Sequence, residues 1–308
     1  MSNLATTVCG LRLRHPIMNG SGLLGSTREE MRILSSWNLA AVVTKTITQR
    51  PRAMRKPPNI IYLSDVNALV NSLGLPNPGA SGVFELVEEA KSCGIPVIVS
   101  VGGNSLEEYL KVSSIAEEAG ADAVELNLSC PTAKGYGLDL ASEYHALGSI
   151  VSNVVGLLKI PVIVKLGVSF RQSLISLAGK ALEEGARAIT LINSIKVVSI
   201  DPEKISYSLS SSDMGYSGAP IYYIGLRAVY EVYREFGAEI IGCGGIRRWT
   251  DVASYILAGA RSVQIVTSLM RARKPREYVE ELLDKLKDWL EAKRFSSIEA
   301  AVGYIHKI

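Results

Sequence analysis

Cysteine is scarce and scattered in this chain. Cys9, Cys93, Cys130 and Cys243 are the four in 308 residues, no two form a Cys-x-x-Cys pair, and three histidines accompany them. That argues against a zinc site, and a chain of this length needs no disulfide scaffold. Phenylalanine numbers four, and the 13 tyrosines fall in no stacking pattern. Net charge is +3, with basic residues mostly interleaved among acids. A nucleic-acid-binding face, which needs concentrated basic charge with aromatic interleaving, is therefore excluded. One local cluster, Arg50, Arg52, Arg55 and Lys56 in QRPRAMRKPP, reads as a solvated loop, with a phosphate or partner contact as the lesser alternative. No apolar run approaches the ~20 residues that span a bilayer. The segment MSNLATTVCGLRLRHP lacks the apolar core of a signal peptide, so the expectation is a cytoplasmic protein without membrane contact. No Pro-, Gly- or Ser-rich linker divides the sequence, and one domain over 1–308 is expected.

What is present is an alternation of short apolar runs with amphipathic helical segments. The runs are HPIMNG, LAAVVTK, IPVIVSVGG, ADAVELN, IPVIVKLG, RAITLIN, AEIIGCGG and RSVQIVT. They are rich in Val and Ile and nearly continuous, the pattern of strands buried on both faces of a parallel sheet. Thr27-x-x-Glu30 and Ser105-x-x-Glu108 read as capping boxes. Gly120-Ala121-Asp122, Gly185-Ala186-Arg187 and Gly259-Ala260-Arg261 place a helix-stopping glycine just before a strand. Eight such units joined by right-handed crossovers predict an α/β fold, a closed (β/α)8 TIM barrel. Long segments after strands 2 and 6, at 50–82 and 193–221, read as insertions, the first as a short hairpin and a loop. Val279, Leu282, Leu283, Leu286 and Leu290 form one apolar stripe, predicting a helix packed on the barrel.

In such a barrel the chemistry sits at the carboxyl ends of the strands. Read in order, those ends deliver Asn19, Gly20, Ser21 and Gly22; Thr44, Lys45 and Thr46; Gly102 and Gly103; and Asn127, Ser129 and Cys130. The remaining strands deliver Lys165; Asn193 and Ser194; Gly242, Gly244 and Gly245; and Thr267 and Ser268. Lysines at the ends of apolar strands would be buried unpaired unless something anionic occupied the mouth. GCGGIRRWTD and the hydroxyls of VTSL fall after strands 7 and 8, where such barrels cradle phosphate. None of His15, His145 or His306 falls at a predicted strand end, so a Cys–His nucleophile pair is poorly supported at Cys130. A cysteine acting as acid or base fits better. For Cys243, among the glycines, a small buried side chain is sufficient explanation.

In this order and spacing, MNGSGL, TKTIT…PR, NSLGLPNPG, ELNLSCP, VIVKLG, INS, GYSGAPI and IIGCGGI resemble the soluble, cysteine-base class of dihydroorotate dehydrogenases over nearly the whole chain. The resemblance implies a flavin enzyme of pyrimidine biosynthesis that oxidises dihydroorotate to orotate. It implies FMN held by Gly20, Ser21, Lys45, Thr46, Asn127, Lys165, Ile192, Gly218, Gly244, Gly245, Thr267 and Ser268. It implies substrate held by Lys45, Asn71, Leu73, Gly74, Leu75, Asn127, Asn193 and Ser194, with Cys130 as the base at C5. Soluble relatives act as homodimers with a small acceptor such as fumarate. Others pass electrons to NAD through an iron–sulfur and FAD partner subunit, as heterotetramers, and a partner-linked enzyme is the favoured expectation. The chain departs from the family pattern at Thr132, where Asn is usual after Cys-Pro. It departs also at Val266-Thr267, one glycine fewer than Val-Gly-Thr, and at Gly167-Val168-Ser169 in place of Ser/Thr-Pro.

Three alternatives remain open at this point. One is another FMN barrel acting on a reduced pyrimidine, of the dihydropyrimidine dehydrogenase type. The second is a flavin-free, phosphate-binding isomerase or lyase. The third is a catalytically silent barrel serving as a structural subunit.

Overall fold

The computed structural model describes residues 3–22, 24–128, 144–168 and 173–308. The eight predicted strands are all present: β1 (Ile17–Asn19), β2 (Val42–Val43), β3 (Val97–Val101), β4 (Ala123–Asn127), β5 (Val162–Leu166), β6 (Ala188–Leu191), β7 (Ile240–Cys243) and β8 (Ala260–Ile265). They form one parallel sheet in the order β1-β8-β7-β6-β5-β4-β3-β2. The remaining seam, β1 against β2, is closed by Ala40 N–H donating to the Ile17 carbonyl (2.9 Å) and by a side chain. Asn19 Oδ1 accepts from Val43 N–H at 2.9 Å, while its Nδ2 donates to the Val43 carbonyl at 2.7 Å. A carboxamide carries one donor and one acceptor group in the same relation as a peptide, so it stands in for a missing rung. Asn19, read from sequence as a polar group at the mouth, is instead part of the wall.

Side chains alternate across each strand, and here the alternation separates three environments. Outward residues such as Val99, Val124, Val164 and Ile189 pack under the helices in one large core. The first inward residue of most strands is apolar: Met18, Val43, Ile98, Ala123, Ile163, Ala188 and Ile241 cluster with Val8, Cys9 and Leu13. Those last three belong to an antiparallel hairpin, Thr6–Val8 with Leu11–Leu13, which plugs the end where the strands begin. Two residues further along, the inward positions turn polar: Ser100, Glu125, Lys165, Thr190 and Gln264, all buried.

The helix signals are borne out with one refinement. Thr27 and Ser105 accept from the Glu30 and Glu108 amides, but the two carboxylates reach one residue further back than a capping box requires. Glu30 binds the amides of Gly25 and Ser26, and Glu108 that of Asn104. Gly120, Gly185 and Gly259 all take positive φ at helix ends. The C-terminal helix, Pro275–Ala292, buries its predicted stripe, chiefly against Trp249–Ala258. No described helix is long and apolar enough to cross a membrane.

The two insertions hold the main surprise. The first insertion forms the expected hairpin, Ile60–Leu63 with Ala68–Asn71, and the second joins it in one four-stranded antiparallel sheet, ordered Ile195–Val197, Met214–Gly218, Ala68–Asn71, Ile60–Leu63. A two-stranded hairpin is marginal in water, and joining the two gives a shared apolar face of Val70, Leu209 and Met214. Arg55, expected in solvent, knots the insertions together. It donates to Ser72 Oγ (2.7 Å) and the Asp213 carbonyl (3.3 Å), and pairs with the Asp213 carboxylate at 3.6 Å.

His15, just before β1, is 5% exposed, with Nδ1 accepting from Ile17 N–H at 3.3 Å and the Asn38 backbone holding the ring only weakly. Burial, aided by Arg14, pushes its pKa down to about 4 from 6.5. Above pH 6.5 the ring is neutral in both folded and unfolded chains, and the folded state loses nothing. As pH falls from 6.5 to 4 the unfolded chain takes up the proton first, so stability declines across that window and levels off below it. The effect is about 2–3 kcal/mol at pH 4.5. Urea denaturation of His15→Asn, which can still accept from Ile17 N–H, is expected to show a correspondingly smaller loss between pH 7 and 4.5. An identical loss in both proteins would refute this.

Candidate active site

At the carboxyl ends of the strands lies a cavity of about 1090 Å³, counting its open mouth. Lys165 and Gln264 of the polar inward layer reach its floor, and the insertion sheet supplies Ile60, Leu69, Asn71, Ser217 and Gly218 on another side. Of the sequence-predicted residues, Ser21, Lys45, Thr46, Asn71, Leu73, Leu75, Asn127, Lys165, Ile192, Asn193, Ser194, Gly218, Gly244, Gly245, Thr267 and Ser268 line this one space. Gly20 and Gly74 do not. Gly20 lies behind the wall, where an added Cβ would sit 3.0 Å from Gln264 Oε1. Gly74 faces Arg55, and its carbonyl accepts from Arg52 Nε at 3.0 Å, so it shapes the loop that presents Leu73 and Leu75. Cys130, with Ser129, Thr132 and Ser169, lies outside the described residues.

The amides are oriented by a chain of hydrogen bonds. Asn127 Nδ2 donates to Thr46 Oγ1 (2.9 Å), and Asn193 Nδ2 donates to Asn127 Oδ1 (3.2 Å). Ser194 N–H in turn donates to Asn193 Oδ1 at 2.8 Å. Thr46 is itself held by Ser100 at 3.0 Å. Each carboxamide therefore has its oxygen and nitrogen ends fixed before any ligand arrives. Lys45 donates to the Gly22 carbonyl.

Lys165 departs from the sequence reading. It needs no anion in the mouth, because its counter-ion is inside the barrel: Glu125 Oε1 lies 3.5 Å from its Nζ. Lys165 Nζ also donates to Gln264 Oε1 at 2.6 Å and to Ser21 Oγ at 3.3 Å. Glu125 and Gln264 escaped notice because their strands read as apolar runs. The visible signal was a single charged or amide residue at an inward position of AVELN and RSVQI.

At the other end of the cavity the loop after β7 is a built cradle. Gly245 has φ +70, and a Cβ there would lie 2.5 Å from the Tyr222 backbone nitrogen. Gly218 has φ +97, with only 2.5 Å between an added Cβ and the Asn67 carbonyl. Tyr255, buried and unnoticed in sequence, donates to the Gly244 carbonyl at 2.8 Å and clamps the loop from behind. Ser268 Oγ donates to the Ile246 carbonyl (2.7 Å), tying the loops after β7 and β8 together. Its hydroxyl hydrogen is thereby committed, whereas the Ser217 and Thr267 hydroxyls, 3.2 Å apart, need only one hydrogen between them and leave the other to meet an anion. Burial holds the Cys243 thiol, which borders the cavity, above its ordinary pKa, with Lys165 pulling the other way.

A family model described as dihydroorotate dehydrogenase matches residues 3–290. The dihydroorotate dehydrogenase B (NAD(+)) catalytic subunit of Thermoplasma volcanium is 40% identical over 98% of each chain. A protein of Aeropyrum pernix named for the A (fumarate) type is 39% identical over 99% of this chain and 98% of its own. The chain belongs to the dihydroorotate dehydrogenase family. It is thus of an oxidoreductase family, with the barrel fold that membership predicts. The crystal structure of DHODH from Eimeria tenella in complex with ferulenol superposes with a TM-score of 0.85, covering 99% of this chain and 89% of that one. At 21% identity, that likeness speaks for the fold alone.

The cavity suits the flavin that dihydroorotate dehydrogenase chemistry calls for. It has a glycine cradle at one end and a lysine-and-amide end at the other. When bound, FMN would supply a two-electron acceptor.

Proposed function

We propose that this chain catalyses FMN-dependent oxidation of (S)-dihydroorotate to orotate in de novo pyrimidine biosynthesis. The observation that carries the reading is the convergence of Lys45, Lys165, Asn71, Asn127 and Asn193 on one cavity whose far end is the Gly244–Gly245 cradle, in a chain of this family. Gly218, Gly244, Gly245 and Thr267 would hold the phosphate; Ser21, Thr46, Lys165 and Ile192 would border the ring. The ammonium of Lys165 would offset negative charge developing on the flavin. Lys45 and the pre-oriented amides of Asn71, Asn127 and Asn193 would take the carboxylate, carbonyl and N–H groups of a pyrimidine. Cys130 would remove the C5 proton while hydride leaves C6 for flavin N5.

For the electron acceptor we favour transfer through an iron–sulfur and FAD partner subunit. The support is the B-type, catalytic-subunit names of several relatives at 34–40% identity over most of this chain. The A-type relative at 39% makes a homodimer using fumarate the second reading. A cytoplasmic location accords with either.

The test is spectroscopic. Purified or reconstituted protein should show flavin absorbance, bleached by anaerobic addition of dihydroorotate and not of dihydrouracil. No bleaching by dihydroorotate would sink the proposal, and bleaching by dihydrouracil alone would move the chain to the dihydropyrimidine dehydrogenase type.

A further inference from the structure

Beneath the cavity, and not lining it, sits a carboxylate that the proposed chemistry does not use. Glu125 is wholly buried inside the barrel. Its Oε2 accepts from Thr190 Oγ1 at 2.9 Å and from Gln264 Nε2 at 2.6 Å. Its Oε1 takes no hydrogen bond among the described residues and faces Lys165 Nζ at 3.5 Å. An ionised carboxylate can only accept, so Gln264 must turn its NH2 towards Glu125 and therefore its carbonyl towards Lys165. That carbonyl receives the Lys165 ammonium at 2.6 Å. One buried anion thus fixes the amide, the amide fixes the lysine, and Lys165 and Gln264 are the members that reach the cavity.

We propose that Glu125 is a positioning residue that holds Lys165 against the ligand cavity and moderates its field there, so setting how readily a bound flavin accepts electrons. The inference rests on the reading that this cavity holds FMN. Glu125 pairs in register with Ile163, two residues before Lys165, and unlike Lys165 does not line the cavity, so the ligand feels a cation partly offset by an anion behind it. A flavin that gains two electrons and one proton gains a negative charge. Neutralising the anion behind Lys165 unmasks the cation and favours the reduced form.

The test compares midpoint potentials of FMN-loaded wild type and Glu125→Gln by anaerobic spectroelectrochemical titration. Glu125→Gln keeps the shape and one acceptor. It is expected to retain FMN at wild-type stoichiometry and raise the two-electron midpoint by at least about 30 mV, tenfold in that equilibrium. Thr190→Val removes a hydrogen bond to the same oxygen but no charge, and should shift the equilibrium by less than about twofold. Glu125→Asp, which withdraws the charge by one methylene, should move the midpoint in the same direction by less, and serves if Glu125→Gln does not fold. An unchanged or lowered potential in the flavin-loaded variants overturns the inference and leaves the proposed function standing. Equal shifts in Thr190→Val and Glu125→Gln overturn it too, as marks of a merely structural role. A wild type that takes up no FMN overturns both.

Discussion

Cys130→Ala is expected to give a folded protein that still binds FMN but whose flavin is reduced by dihydroorotate at least about 10²-fold more slowly. That is the lower end of what a positioned general base contributes. Two of the three histidines lie away from the mouth. His15 is buried before β1, at the opposite end of the barrel, and His306 lies near the C-terminus stacked on Tyr230 with ring centroids 4.4 Å apart. His145 sits near the start of the helix Tyr144–Leu157. Stopped-flow anaerobic reduction, followed by loss of the flavin absorbance, would read the step directly. Reduction near the wild-type rate would return Cys130 to the status of a packing residue at a strand end.

A second large effect is expected from Lys165→Met, this time on stability. The variant strands Glu125 in the barrel without its cation, and breaking a buried pair from one side costs about 3–5 kcal/mol. Removing both charges, in Lys165→Met with Glu125→Gln, should recover most of that loss, because the desolvation of two ions disappears together with their attraction. Equilibrium urea unfolding of the two single variants and the double variant forms a cycle that isolates the coupling. A coupling energy within about 0.5 kcal/mol of zero in that cycle would mean that the pair is not energetically coupled.

What could be read from the sequence followed from local chemistry. The eight apolar runs, the glycines that stop helices before strands and the apolar stripe of Val279 to Leu290 each depend on neighbours a few residues away. Most candidate ligands could be found for the same reason: strand ends in this fold face one mouth. What could not be read depends on partners far along the chain. Asn71 meets Gly215, 144 positions away, and nothing in either insertion announces that they share a sheet. Asn19 looked like a mouth residue because its closure of the seam requires Val43 beside it. Glu125 and Gln264 were hidden by strands buried on both faces. There, the outward positions supply enough Val, Ile and Leu to mask a polar interior. Cys130 rests on its place at a strand end and on the ELNLSCP resemblance, since it lies outside the described residues.

The shared roof has a consequence for how specificity in this barrel can be exchanged. The strand Ala68–Asn71 is paired on one side by its own hairpin and on the other by Met214–Gly218, from the second insertion. Transplanting either insertion alone into another barrel would leave a bare strand edge, prone to pairing with whatever chain it meets. The Arg55–Asp213 contact would be cut at the same time. This wall of the cavity is therefore a two-segment module: the cavity-lining Asn71 and Gly218 can be redesigned or inherited together, but not one at a time.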